Sequence, residues 1–159
     1  MNNDIKMMKA AYKEALKAEK IDEVPIGAVV VKDGKIISRA YNKRETKQMA
    51  TGHAEILAIE KACKKLGTWR LENCELYVTL EPCVMCTGAI INARIQRVIF
   101  GAPEKRWLAF SQIIDTTDPK LLNHHVEYTA GVYQEECSKL ISDYFKQKRQ
   151  QKVLDDSYK

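Results

Sequence analysis

Four side chains in this sequence have the types and spacing of a metal-dependent catalyst: His53, Glu55, Cys83 and Cys86. The cysteines are spaced C-x-x-C in "TLEPCVMCTGAI", with Pro82 directly before them and a helical pattern after. Proline pre-sets the backbone at a helix start, and the dipole there favours thiolate. Such a pair suits a metal, dithiol redox chemistry or simple burial. The redox reading needs its pair after the first strand of a thioredoxin-like order, which this chain does not supply. A closed structural zinc site takes four ligands, and Cys63, Cys74 and Cys137 stand singly, as small buried hydrophobes do. His53, 30 positions before Cys83, is the best available third ligand. Three protein ligands with an open fourth position describe catalytic rather than structural zinc. Zinc brings the pKa of a bound water towards about 7, and a base must then take and return the proton. Glu55 is placed for that duty. On a regular helix the two side chains would lie roughly 200° apart, so they converge only if His53 stands where the helix is just beginning.

The elements that must hold these residues alternate between helix and strand. Residues 4–20 place Ile5, Met8, Tyr12, Ala15 and Leu16 at helical spacing. "IGAVVVKDGKIISRAYN" reads as two strands joined at Asp33-Gly34, a hairpin signal. Residues 53–66 return to helical period and stop at Gly67, a helix C-cap. "ELYVTL" is a strand, "CVMCTGAIINAR" a helix and "RVIFGA" a strand, which predicts a parallel pair. A short helix over 108–116, an edge strand in "HVEYTAG" and a last helix from 133 to about 150 complete the chain. The residues from about 152 lack a periodic pattern and are expected to fray.

The 159 residues suit one domain with a single core. No apolar run reaches the roughly 18 residues of a membrane span. The amphipathic, acid-containing N-terminus reads as neither a secretory signal nor a transit peptide, and five cysteines fit a reducing compartment, so a cytoplasmic location is expected. A net charge of +5 favours an acidic partner such as nucleic acid.

The order H-x-E…P-C-x-x-C is the known signature of zinc nucleobase deaminases. The similarity extends through "EVPIGAVVV", "AYNKRET", the run from His53 to Ala102 and "LNHHVEYTAGV". Over these segments the chain resembles the bacterial tRNA-specific adenosine deaminases. That resemblance implies a cytidine deaminase-like α/β fold, a three-layer α/β/α sandwich around a central mixed five-stranded sheet. It also implies a homodimer making inosine at the wobble position of an arginine tRNA anticodon. Carried across, it makes His53, Cys83 and Cys86 the ligands of one Zn²⁺ and Glu55 the proton shuttle. Asn42 would hydrogen-bond the flipped base, and Val24, Pro25, Ile26 and the backbone at Ala54 would line its pocket. Taken alone, Asn42 reads as a turn residue at a strand end. Lys146, Lys148, Arg149 and Lys152 near the last helix would meet phosphates. His124 and His125 match family positions outside the metal site.

The chain departs from the family pattern after "FGA", where an Asp, a Lys and small residues are usual. Glu104 and Arg106 replace the first two, and Trp107, Leu108 and Phe110 stand among the small positions. Glu104 and Arg106 are therefore candidate substrate contacts, and Trp107 and Phe110 either stack on bases or fill space. Ala50 and Gly52 stand where the family favours Pro and Ala. Three functions follow in order: a wobble adenosine deaminase, a deaminase of a free guanine- or cytosine-type base or nucleoside, and a non-catalytic zinc-containing RNA-binding subunit. The retained Glu55 places the last behind the others.

Overall fold

A computed structural model describes residues 2–159, so Met1 lies outside it. The chain opens with helix α1 (Asn2–Lys20) and the hairpin β1 (Gly27–Lys32) and β2 (Lys35–Tyr41). Asp33 and Gly34 both take positive φ in the two-residue turn, as the sequence pair predicts. A four-residue helix α2 (Arg44–Lys47) and helix α3 (Ala54–Leu66) follow, then β3 (Cys74–Leu80), α4 (Val84–Asn92) and β4 (Arg97–Ala102). Helix α5 (Phe110–Thr116), a 3-10 turn at Pro119–Leu121, β5 (Glu127–Ala130) and α6 (Gln134–Ser157) complete the order.

The five strands form one mixed sheet in the order β2-β1-β3-β4-β5. β1 is antiparallel to β2 and β3, whereas β3, β4 and β5 are parallel. The central strands are apolar on both faces, which is how a doubly covered sheet reads. Val29, Val31, Tyr77 and Ile99 pack with Met7, Met8 and Ala11 of α1 and Cys137 of α6. Ala28, Val30, Leu76, Val78 and Val98 pack on the opposite side with Ala54, Ala58 and Ala62 of α3, Ile90 of α4 and Phe110 of α5. Three layers result, as expected. The approach of α1 is close: a Cβ on Gly27 would lie 2.0 Å from the Ala11 carbonyl oxygen.

Of the α1 residues read at helical spacing, Met8 and Ala15 are fully buried beside Met7, Ala11 and Ala18, whereas Ile5 is exposed at the outer side. One expectation is corrected. Helix α6 does not fray at about 152 but continues to Ser157, with Gln151 donating a hydrogen bond to Asp155 one turn on. Its last turns are exposed, so propensity and side-chain pairs rather than burial sustain them, and an apolar-period reading cannot detect such a segment.

Candidate active site

Two helix N-termini meet at the carboxyl ends of the parallel strands. His53 is the N-cap of α3 with extended backbone (φ −77°, ψ 150°), so its side chain leaves before the helical twist begins. Glu55 is the second residue of the helix proper. Cys83 is likewise the extended N-cap of α4, and Cys86 lies in its first turn. The imidazole Nδ1 is 3.6 Å from the Cys83 Sγ and 3.6 Å from the Cys86 Sγ. In tetrahedral zinc coordination, metal–sulfur and metal–nitrogen bonds of normal length separate the two donor atoms by about 3.6 Å. The donors thus fit zinc in type, number and spacing. Among the described residues this is the one cluster of three or more such groups able to hold a metal ion.

The electrostatics agree with a site built for a cation. Hydrogen bonding by Cys86 and His53 lowers the Cys83 thiol to about 4, while the Cys83 hydrogen bond and burial push Cys86 up. The Cys83 hydrogen bond raises the His53 pKa against the opposing effect of burial. Glu55 is only 4% exposed, and that burial raises its pKa. Both helix dipoles point positive ends at the cluster and favour thiolates.

A cavity of about 320 Å³ opens onto His53, Glu55 and Cys83. Val24, Ile26 and Asn42 form one wall, and Glu104, Arg106, Trp107 and Phe145 form the rim. Asn42 follows β2 directly and is a turn residue as well: its Oδ1 accepts the Arg44 N–H at 3.1 Å and its Nδ2 donates to the Val24 carbonyl at 3.3 Å. Pro25 and Ala54 are buried beside the cavity and are not part of its wall. Lys146 and Arg149 lie further along α6, where Arg149 lines an adjoining groove with Glu104 and Arg106. Lys148 is engaged with Asp22. His124 Nε2 donates to the Ile95 carbonyl oxygen at 2.7 Å, and His124 and His125 are outside the metal cluster.

The two aromatic residues of the unusual loop have opposite fates. Phe110 is fully buried and meets Tyr128 edge to face at 5.7 Å, so it fills space in the core. Trp107 is 71% exposed at the cavity rim. Beside it, Arg106 lies 5.3 Å from the Phe145 ring centroid and its Nε is 3.3 Å from Glu104 Oε1. At the other end of the site, a Cβ on Gly52 would stand 3.1 Å from the Met49 carbonyl oxygen and 3.2 Å from the Arg44 Cα, tighter than ordinary contact. Glycine at 52 lets the 43–52 loop fold closely beneath His53, with the Lys43 N–H bonded to the Gly52 carbonyl.

Glu81 and Glu23 escaped the sequence reading. Both are buried carboxylates that hold loops around the cavity: Glu23 accepts the N–H groups of Glu45 and Thr46, and Glu81 accepts those of Glu104 and Ser111. An acidic residue beside a C-x-x-C pair was the available signal for Glu81. Glu23 had none, because its partners lie 22 and 23 residues away.

A family model described as MafB19-like deaminase matches residues 1–149. The tRNA-specific adenosine deaminase of Bacillus subtilis (strain 168) is 48% identical over 152 residues, 96% of this chain and 94% of that one. The solved structure of a tRNA:A34 deaminase, which edits A to I at the wobble position, superposes with a TM-score of 0.78 at 39% identity. It covers 84% of this chain and 97% of that one. A guanine deaminase from Bacillus subtilis superposes with a TM-score of 0.59 at 43% identity, over 62% of this chain and 63% of that one.

Proposed function

Because the chain belongs to the MafB19-like deaminase family and to the tRNA-specific adenosine deaminases, we propose that it hydrolyses adenosine to inosine at the wobble position of a tRNA anticodon loop. The observation that carries this reading is the meeting of His53, Cys83 and Cys86 with a buried Glu55 at one cavity. We assign His53, Cys83 and Cys86 as ligands of one Zn²⁺ per chain. When bound, zinc supplies an acidified water at neutral pH.

The chain's own residues do the rest. The Glu55 carboxylate takes the proton that water loses and delivers it to the adenine ring nitrogen N1 as the C6–O bond forms. A further proton transfer through Glu55 to the exocyclic nitrogen lets the C6–N bond break, so one water is consumed and one ammonia leaves. A carboxyl whose burial raises its pKa suits a group that must hold a proton for part of each cycle. Asn42 keeps one amide hydrogen and one oxygen lone pair beyond its two intrachain bonds, and these orient the base against the Val24–Ile26 wall. An anticodon loop is single-stranded, so presenting the base costs less than extrusion from a duplex. Trp107 and Arg106 at the rim hold the neighbouring nucleotides, and Lys146 and Arg149 on α6 meet phosphates. The reading extends to a single deaminase domain over 1–159, a homodimer, an arginine tRNA and a cytoplasmic setting. No helix among the described residues is long and apolar enough to cross a membrane.

The 43% identity to a guanine deaminase supports a second reading, a free-base deaminase whose rim is closed by Trp107. Purified protein incubated with an arginine-tRNA anticodon stem-loop, and separately with guanine, adenosine and cytidine, decides between them. Inosine at the wobble position with no ammonia from the free compounds is the expected result. Turnover of a free compound alone would sink the tRNA reading.

A further inference from the structure

We infer that the groove between α1 and the edge strand β2 is a second RNA-binding surface, one that seats the phosphate backbone of the substrate beyond its anticodon loop. The inference rests on the tRNA reading above. The groove, about 810 Å³, is larger than the catalytic cavity. Lys6, Lys9 and Lys13 of α1 line one side, Lys35 and Arg39 of β2 the other, and no acidic residue lines it.

The helix sequence arranges this. At 100° per residue, Lys6, Lys9, Lys13, Lys17 and Lys20 fall within about 80° of one another, whereas Asp4, Glu14 and Glu19 fall outside that arc. All five lysines are exposed. Lys17 is paired with Glu14 at 2.9 Å, and none of the five groove cations forms an ion pair among the described residues. The lysine row is about 21 Å long from Lys6 to Lys20. Its Lys20 end leads directly into Asp22–Val24, and Val24 is a wall of the catalytic cavity. Its Lys6 end lies beside the Asp33-Gly34 turn, at the opposite end of β2 from Asn42. One polyanion can therefore run from the cavity along the outside of the molecule. A row of exposed cations, most of them without an ion-pair partner, is the footprint of a phosphate backbone. An anionic membrane is the poorer occupant. An interfacial helix needs a broad exposed apolar face, and α1 spends its apolar face on the sheet, leaving Ile5 at 42% exposure.

The test measures affinity for a full-length tRNA against salt, with G in place of A at the wobble position so that binding is read without turnover. Changing Lys6, Lys9, Lys13 and Arg39 together to Gln should reduce the slope of log affinity against log salt by about 3. The set Lys6→Arg, Lys9→Arg, Lys13→Arg and Arg39→Lys should retain the slope, which separates charge from folding. An unchanged slope in the Gln variant overturns the proposal. So does an unchanged RNA slope with lost binding to phosphatidylserine vesicles, which would make the groove a membrane surface. A wild-type protein that makes no inosine in A34 tRNA sinks the catalytic reading alone, because the salt slope is measured without it.

Discussion

Glu81 grips Ser111 twice: one carboxylate oxygen accepts the Ser111 backbone N–H at 2.7 Å and the Ser111 hydroxyl at 2.6 Å. Its other oxygen accepts the Glu104 N–H at 3.2 Å. One buried side chain at the end of β3 thereby fixes both ends of the 104–111 loop, two residues before Cys83.

That grip predicts a structural and a kinetic cost. Glu81→Ala leaves part-buried donors of Glu104 and Ser111 without their partner and should lower stability by about 1 to 2 kcal/mol in urea unfolding. The freed loop should raise KM for the stem-loop while zinc content stays at the wild-type level. Wild-type KM in a correctly folded Glu81→Ala protein would show that the loop's position does not matter to substrate.

Separating base from ligand is the purpose of Glu55→Ala. Turnover should fall by a factor of about 10³ or more, and elemental analysis should still find one zinc per chain. Cys86→Ser should instead lose zinc and lower the melting temperature, because the site joins the starts of two helices. Zinc loss in Glu55→Ala would make that residue structural.

Trp107 offers a stacking face to a nucleotide, and base–aromatic stacking is worth about 1–3 kcal/mol. Trp107→Ala should therefore raise KM for the stem-loop roughly 5- to 100-fold with little change in kcat, and Trp107→Phe should recover part of the loss. An unchanged KM would leave the exposed indole without a role in substrate binding.

The pH dependence of stability should report Asp4. The Arg97 guanidinium, with help from the Tyr77 hydroxyl, holds the Asp4 carboxyl below its ordinary 3.8 against the cost of burial. A folded-state pKa below the unfolded one means the contribution is complete above 3.8 and is lost as pH falls through the lower folded value. Asp4→Asn should cost about 1 kcal/mol at neutral pH, partly screened because the pair is part-exposed. That deficit should shrink as both proteins are taken below 3.8. A deficit constant with pH would mean the carboxylate charge is not its source.

Local signals in the chain were enough to specify the chemistry and most elements. The Asp33-Gly34 turn, the Gly67 cap, the apolar strands and the H-x-E and P-C-x-x-C pairs all act over a few residues, so their physics is written in neighbouring letters. The clustering of His53, Cys83 and Cys86 beside Glu55 was legible for the same reason. What only the tertiary structure decided depends on partners far away in sequence. Whether His53 and Glu55 share a site was settled by His53 standing as an extended N-cap rather than inside α3. Phe110 went into the core and Trp107 to the rim although they are three residues apart, because Glu81, 30 positions from Ser111, fixes where the loop turns back into α5. The exposed end of α6 and the lysine groove were likewise out of reach. The first has no apolar period to read, and the second exists only where α1 and β2, separated in the chain, are brought side by side by the sheet.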